Sequence, residues 1–152
     1  TVICQAPATV TIPAGQAYAY FVIEGMGLGA TTVTASAVGY SATQDLAVNV
    51  VMPQLNFSGP GNTTVGAQSA FSIYLTTPGA GYSGSQTATA PITVNLTSSA
   101  PGVATVAATV VIQTGNTSGT EILTGVAAGT TTLTASGNSL STTTSGVITV
   151  NP

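Results

Sequence analysis

The chain has 152 residues, 43% of them hydrophobic, with no Lys, Arg or His and only three acids, Glu24, Asp45 and Glu121, for a net charge of −3. Without a single cation it has no means of neutralising phosphates, which excludes nucleic-acid binding and attraction to anionic lipid. No apolar run approaches the roughly 18 residues a bilayer requires, so no membrane insertion is expected.

In chain order, the first feature is Cys4, which has no second cysteine to pair with. A small core residue near a strand end is the simpler reading, against a reactive or intermolecular thiol. The run ATVTIPAG, Tyr18 and Tyr20 with neighbouring Phe21, and the run GATTVTAS follow. Beyond residue 51, turn clusters separate short β-branched or alternating segments, as antiparallel strands require. Strands are predicted at about residues 54–58, 63–66, 69–76, 91–98, 103–106, 108–113, 119–125, 130–136 and 144–150. Phe71, Ile73 and Leu75 alternate, as do Ile92, Val94 and Leu96, so each triplet points at one core while Ser72, Tyr74, Thr93 and Asn95 face out. Gly115 with Asn116, and Gly129, stand where hairpin turns need positive φ, which glycine adopts without steric cost.

These elements recur. Residues 8–50 laid over 108–150, at a constant offset of 100 and without a gap, match at 15 of 43 positions. The identities include Val10 with Val110, Ile12 with Ile112, Gly15 with Gly115, Gly25 with Gly125, Gly29 with Gly129 and Val50 with Val150. Where residues differ, apolar replaces apolar: Val22, Ile23, Met26, Val33 and Val48 face Ile122, Leu123, Val126, Leu133 and Ile148. Residues 1–51 therefore read as the C-terminal half of a repeat of about 100 residues and residues 52–152 as a complete one, so the chain is expected to begin inside a domain. Seven or more short strands with turns every 8–12 residues, in a unit of about 100 residues, is the pattern of an immunoglobulin-like antiparallel β-sandwich. The fold class is accordingly all-β, with one complete sandwich and one C-terminal half in tandem.

The run SSAPGVATVAATVVIQTGNTSGTEILTGVAAGTTTLTAS, with the earlier ATVTIPAG and GATTVTAS, resembles the bacterial immunoglobulin-like repeats of the invasin and intimin type across nearly the whole chain. The resemblance implies a β-sandwich used as a spacer, stalk or adhesive segment at the cell surface or outside the cell, with no active site. On that pattern Gly125, Gly129 and Ala135 are fold residues. The loop at residues 78–90 is longer and richer in Gly than a minimal connection.

The residue inventory argues against chemistry of the chain's own. General acid–base work needs a group titrating near neutrality or a close carboxylate pair, and neither is present in the sequence. Nucleophile arrangements built on His or Lys are impossible. Calcium prefers several convergent carboxylates and zinc prefers Cys and His sets, and Asp45 alone, even with carbonyls, makes at best a weak site, so neither a metal nor another cofactor is expected, while Glu24 and Glu121 read as exposed solubilising groups. Isopeptide crosslinks are excluded with lysine.

Two kinds of candidate site remain. Sequons of the form N-x-S/T stand at Asn56, Asn62, Asn95 and Asn116, in or beside predicted turns or at outward strand positions. Each is either a glycan acceptor or an ordinary polar residue of a Ser- and Thr-rich chain. Alternation places Tyr18 and Tyr20 on one face, where they form an aromatic platform for sugar rings, a subunit contact or plain packing. Tyr82, in the Gly-rich loop, has the same alternatives.

Three functions follow as expectations. The first is an extracellular structural repeat protein forming a stalk, sheath or filament, whose partners are neighbouring repeats or copies of itself. The second is an adhesin binding a glycan or host protein through its loops or tyrosines. The third is an accessory domain of a secreted enzyme.

Overall fold

The computed structural model describes residues 1–41, 45–78, 84–137 and 139–152. It divides into two compact units, Thr1–Met52 and Pro53–Pro152. Among the described residues there is no α-helix, and none long and apolar enough to cross a membrane.

Among the described residues the first unit holds four strands in two small antiparallel pairs. β1 (Cys4–Gln5) pairs with β2 (Glu24–Gly25), and β3 (Gly29–Val33) with β4 (Leu46–Val50). Between β1 and β2, no described residue lies in a strand. None of its described residues is fully buried.

The second unit is a sandwich. One sheet has the order β10 (Thr109–Ile112), β8 (Ile92–Ser98), β13 (Leu133–Gly137), β14 (Leu140–Thr144). A second runs β5 (Gln54–Ser58), β7 (Gln68–Thr76), β11 (Ser118–Gly125), β9 (Ala104–Val106). A third small sheet joins β12 (Gly129–Thr131), β15 (Ile148–Asn151) and β6 (Thr63–Thr64), with β6 parallel to β15. One core forms because β8, β10, β15 and the Phe71–Leu75 part of β7 carry an apolar side chain at every second residue. Phe71, Ile73, Leu75 and Leu123 enter it from the second sheet, Val94, Leu96, Val110, Ile112, Leu133 and Ala135 from the first, and Ile148 and Val150 from the third. Ile92, expected inside, is half-buried against the rim of that core.

Two expectations about strands change. The single strand foreseen at 130–136 is two: β12 pairs with β15, and after Thr132 the chain crosses to pair with β8 as β13. Crossing between sheets leaves backbone groups without ladder partners, and hydroxyls meet them. The buried Thr131 Oγ1 accepts the Ala100 amide at 3.2 Å and is bonded to Ser98 Oγ at 2.9 Å, while Ser99 Oγ accepts the Thr132 amide at 2.9 Å. β14 was not foreseen, because only Leu140 in it is apolar. The turn at Gly115, φ +83°, does not close a hairpin but carries the chain from the first sheet to the second.

The 100-residue offset reappears in the hydrogen bonding. Cys4 pairs with Gly25 as Ala104 pairs with Gly125, and Gly29 with Val50 as Gly129 with Val150. The Met26 amide donates to the Ile3 carbonyl at 2.8 Å, as Val126 does to Val103. The bridge between Ala37 and Tyr40 matches the pair Gly137 and Leu140.

Candidate ligand and modification sites

In the first unit the segment after the Pro13–Gln16 turn carries Tyr18 and Tyr20. Their counterparts one repeat on, Ser118 and Thr120, belong to β11 on the side away from the core, the buried members of the strand being Gly119, Leu123 and Gly125. The two tyrosines do lie together. Their rings meet edge to face at 5.2 Å, with 67° between planes, and both are exposed. That geometry suits two aromatic quadrupoles and leaves ring surface open for stacking. Tyr20 also borders an open concavity of about 590 Å³, lined in part by Gln5, Val10, Phe21, Val22 and Glu24. Tyr82 lies outside the described residues.

The four sequons differ in their surroundings. Asn56, on β5, is half-buried and its Nδ2 donates to the buried Thr76 Oγ1 at 2.6 Å. Asn62 is exposed, and its Oδ1 accepts the Thr149 amide at 3.0 Å. Asn95 is exposed in the middle of β8, between Thr109 of β10 and Ser136 of β13. Asn116 is exposed in the turn between β10 and β11, which the Asn116 amide closes by donating to the Gln113 carbonyl at 3.0 Å.

Glu24 and Asp45 are exposed, and Asp45 accepts a hydrogen bond from Thr34 Oγ1 at 2.7 Å. Glu121, expected to be exposed, is half-buried and accepts the Ile122 amide on Oε1 at 3.0 Å. Among the described residues no three His, Cys, Asp or Glu side chains are placed to hold a metal ion. The free Cys4 is half-buried, where its counterpart Ala104 is fully buried.

No protein-family model and no curated protein matches the chain. Solved structures do. The D00-D0 domains of intimin match with a TM-score of 0.54 and 12% identity, covering 98% of this chain and 78% of that one. A glycosyl hydrolase family 2 member from Bacteroides cellulosilyticus matches with a TM-score of 0.52 and 14% identity, covering 87% of this chain. The chain spans only 19% of that hydrolase. Domains 4 and 5 of the S-layer protein SbsC match with a TM-score of 0.48 and 20% identity, covering 86% of this chain and 69% of that one. At these identities the likeness concerns the fold, and the fold is immunoglobulin-like and nearly all-β.

Proposed function

We propose that this chain is part of an extracellular structural array, a stalk, sheath or filament at the cell surface, built from tandem immunoglobulin-like repeats and carrying no catalytic site of its own. The observation that carries the reading is the repeat itself: two stretches 100 residues apart form the same backbone pairs, Cys4 with Gly25 and Ala104 with Gly125, Gly29 with Val50 and Gly129 with Val150. A repeating unit of this kind contributes length and stiffness through its neighbours. The composition supports it, since a surface of Thr, Ser, Asn and Gly with a net charge of −3 lets subunits approach with little electrostatic work. The fold likeness to intimin domains agrees with placement outside the cell. Electron microscopy of the native material tests the reading: fibres or lattices with a spacing of about one sandwich domain are expected, and dispersed monomers would overturn it.

The exposed Tyr18–Tyr20 pair favours a second reading, an adhesive module gripping a glycan. Alanine at both positions separates the two on a glycan array, where lost binding with intact assembly selects the adhesin. The likeness to a segment of a glycosyl hydrolase supports a third, an accessory domain of a secreted enzyme, which a catalytic domain elsewhere in the parent gene would select.

A further inference from the structure

We infer that residues 1–52 present a docking surface for one occupant: a polypeptide segment from outside residues 1–152 whose strands are patterned like β6, β7 and β8, the front half of the same repeat. The inference goes beyond the structural-array reading and stands on the internal correspondence alone.

The first support is which pairings form and which do not. β10 is a strand because β8 lies beside it, with Val110 opposite Val94 and Ile112 opposite Ile92. β11 is a strand because β7 lies beside it, from Ser118 opposite Tyr74 to Thr124 opposite Gln68. The counterpart residues 9–12 and 18–23 lie in no strand. For residues 9–12 propensity does not explain the difference, since Thr9, Val10 and Ile12 are identical to Thr109, Val110 and Ile112. Where both partners fall within residues 1–52, most counterpart pairings among the described residues are made: Cys4 with Gly25, Gln5 with Glu24, Gly29 with Val50, Ala30 with Asn49, Thr31 with Val48 and Ala37 with Tyr40. What is missing is what β7 and β8 supply.

Burial follows the same division. Val10 and Ile12 are 43% and 55% exposed, whereas Val110 and Ile112 are 6% and 0% exposed. An apolar row beside unpaired backbone donors and acceptors at strand spacing asks for a strand, and a small ligand meets only one of the two demands.

Glycine 25 gives an independent third support. A Cβ on either Gly25 or Gly125 would meet a valine Cγ1 at 3.1 Å, Val50 or Val150. Gly125 is further constrained, because its Cβ would run into the Thr64 carbonyl of β6. Residues 1–52 contain no counterpart of Thr64, yet position 25 is glycine too, as the passage of a β6-like strand over it requires.

Residues 53–102 of a second copy are not the occupant. In that copy Phe71, Ile73, Leu75, Val94 and Leu96 are already between 0% and 3% exposed inside their own sandwich, and releasing them would dismantle it.

The test is amide hydrogen exchange on the full chain in two formats, with a synthetic peptide of residues 68–98 added, and with a second copy of residues 53–100 joined ahead of Thr1, which keeps the 100-residue register. Exchange across residues 9–12 and 18–24 is expected to slow by roughly tenfold or more in at least one format. Ile12→Asp should abolish that slowing while β10 and β11 exchange as before. Unchanged exchange at 9–24 in both formats overturns the inference, and so does slowing that survives Ile12→Asp. Protection already present in the chain alone, rising with concentration alongside a dimer in sedimentation, makes a second copy the occupant and also overturns it.

Discussion

Ile112 and Ile12 are the same residue at the same position of the repeat, and they should respond differently to the same substitution. Ile112→Ala removes three carbons from a side chain that is 0% exposed, and at roughly 0.8 kcal/mol per buried methylene the transfer loss is about 2.4 kcal/mol. The core around it is walled by β7, β8 and β11 and can collapse only partly, so a cavity contribution raises the total to about 3–4 kcal/mol. Ile12 is 55% exposed, and its substitution should cost about 1 kcal/mol or less. Urea unfolding of the full chain, followed by hydrogen exchange so that residues 53–152 report separately from residues 1–52, measures both. A loss of about 3 kcal/mol in a 100-residue unit corresponds to a drop of roughly 12–24 °C in the melting temperature. Equal costs at the two positions would refute the assignment of Ile112 to a closed core and of Ile12 to an open face.

Gly125→Ala should destabilise residues 53–152 by about 1–3 kcal/mol, because the new methyl must displace the Thr64 carbonyl, whereas Gly25→Ala meets only Val50 and should cost less; thermal melts compare them. Thr131→Val keeps the side-chain shape but removes the hydroxyl that bonds the Ala100 amide and Ser98 Oγ, leaving those two only their 3.3 Å bond to each other, at about 0.5–1.5 kcal/mol in chemical denaturation, while Thr31→Val should be near neutral. In a host with an N-glycosylation system, intact-mass and peptide mapping should find glycan at the exposed turn residue Asn116 and none at Asn56, whose amide is held against Thr76. Sedimentation of the full chain should be nearly unchanged between 10 mM and 1 M NaCl (Debye lengths of about 30 and 3 Å), since only Glu24, Asp45 and Glu121 can be screened; an association that appears only at high salt would contradict the view that charge plays little part.

The sandwich was legible where a strand carries its own instruction. β7 and β8 place an apolar side chain at every second residue, so their inward faces can be read without knowing their neighbours. The crossing at Thr132 was not legible, because Thr131, Leu133 and Ala135 keep one phase of alternation while the pairing partner changes from β15 to β8. β14 was hidden for a different reason: it is an edge strand of Ser and Thr held by backbone pairing to β13, with Leu140 as its one apolar member. Residues 9–12 and 18–23 show the converse limit, strand-forming in sequence yet unpaired, since a ladder needs two chains of donors and acceptors. At the candidate sites alternation alone brought Tyr18 and Tyr20 to one face. It could not separate Asn56 from Asn116, because that difference rests on the hydroxyl of Thr76, twenty residues away from Asn56.

The low charge and the incomplete pairing bear on one another. A strand edge not guarded by Lys or Pro is open to pairing with another chain, which most soluble proteins prevent with charge. Here the residues that leave edges open, 9–12 and 18–23, include no ionised side chain. Exposed Val10 and Ile12 beside such an edge would be an aggregation hazard in a free monomer. In a repeat whose neighbour supplies the missing strands they are the joint, and the absence of charge there is what lets a joint close without burying an unpaired ion.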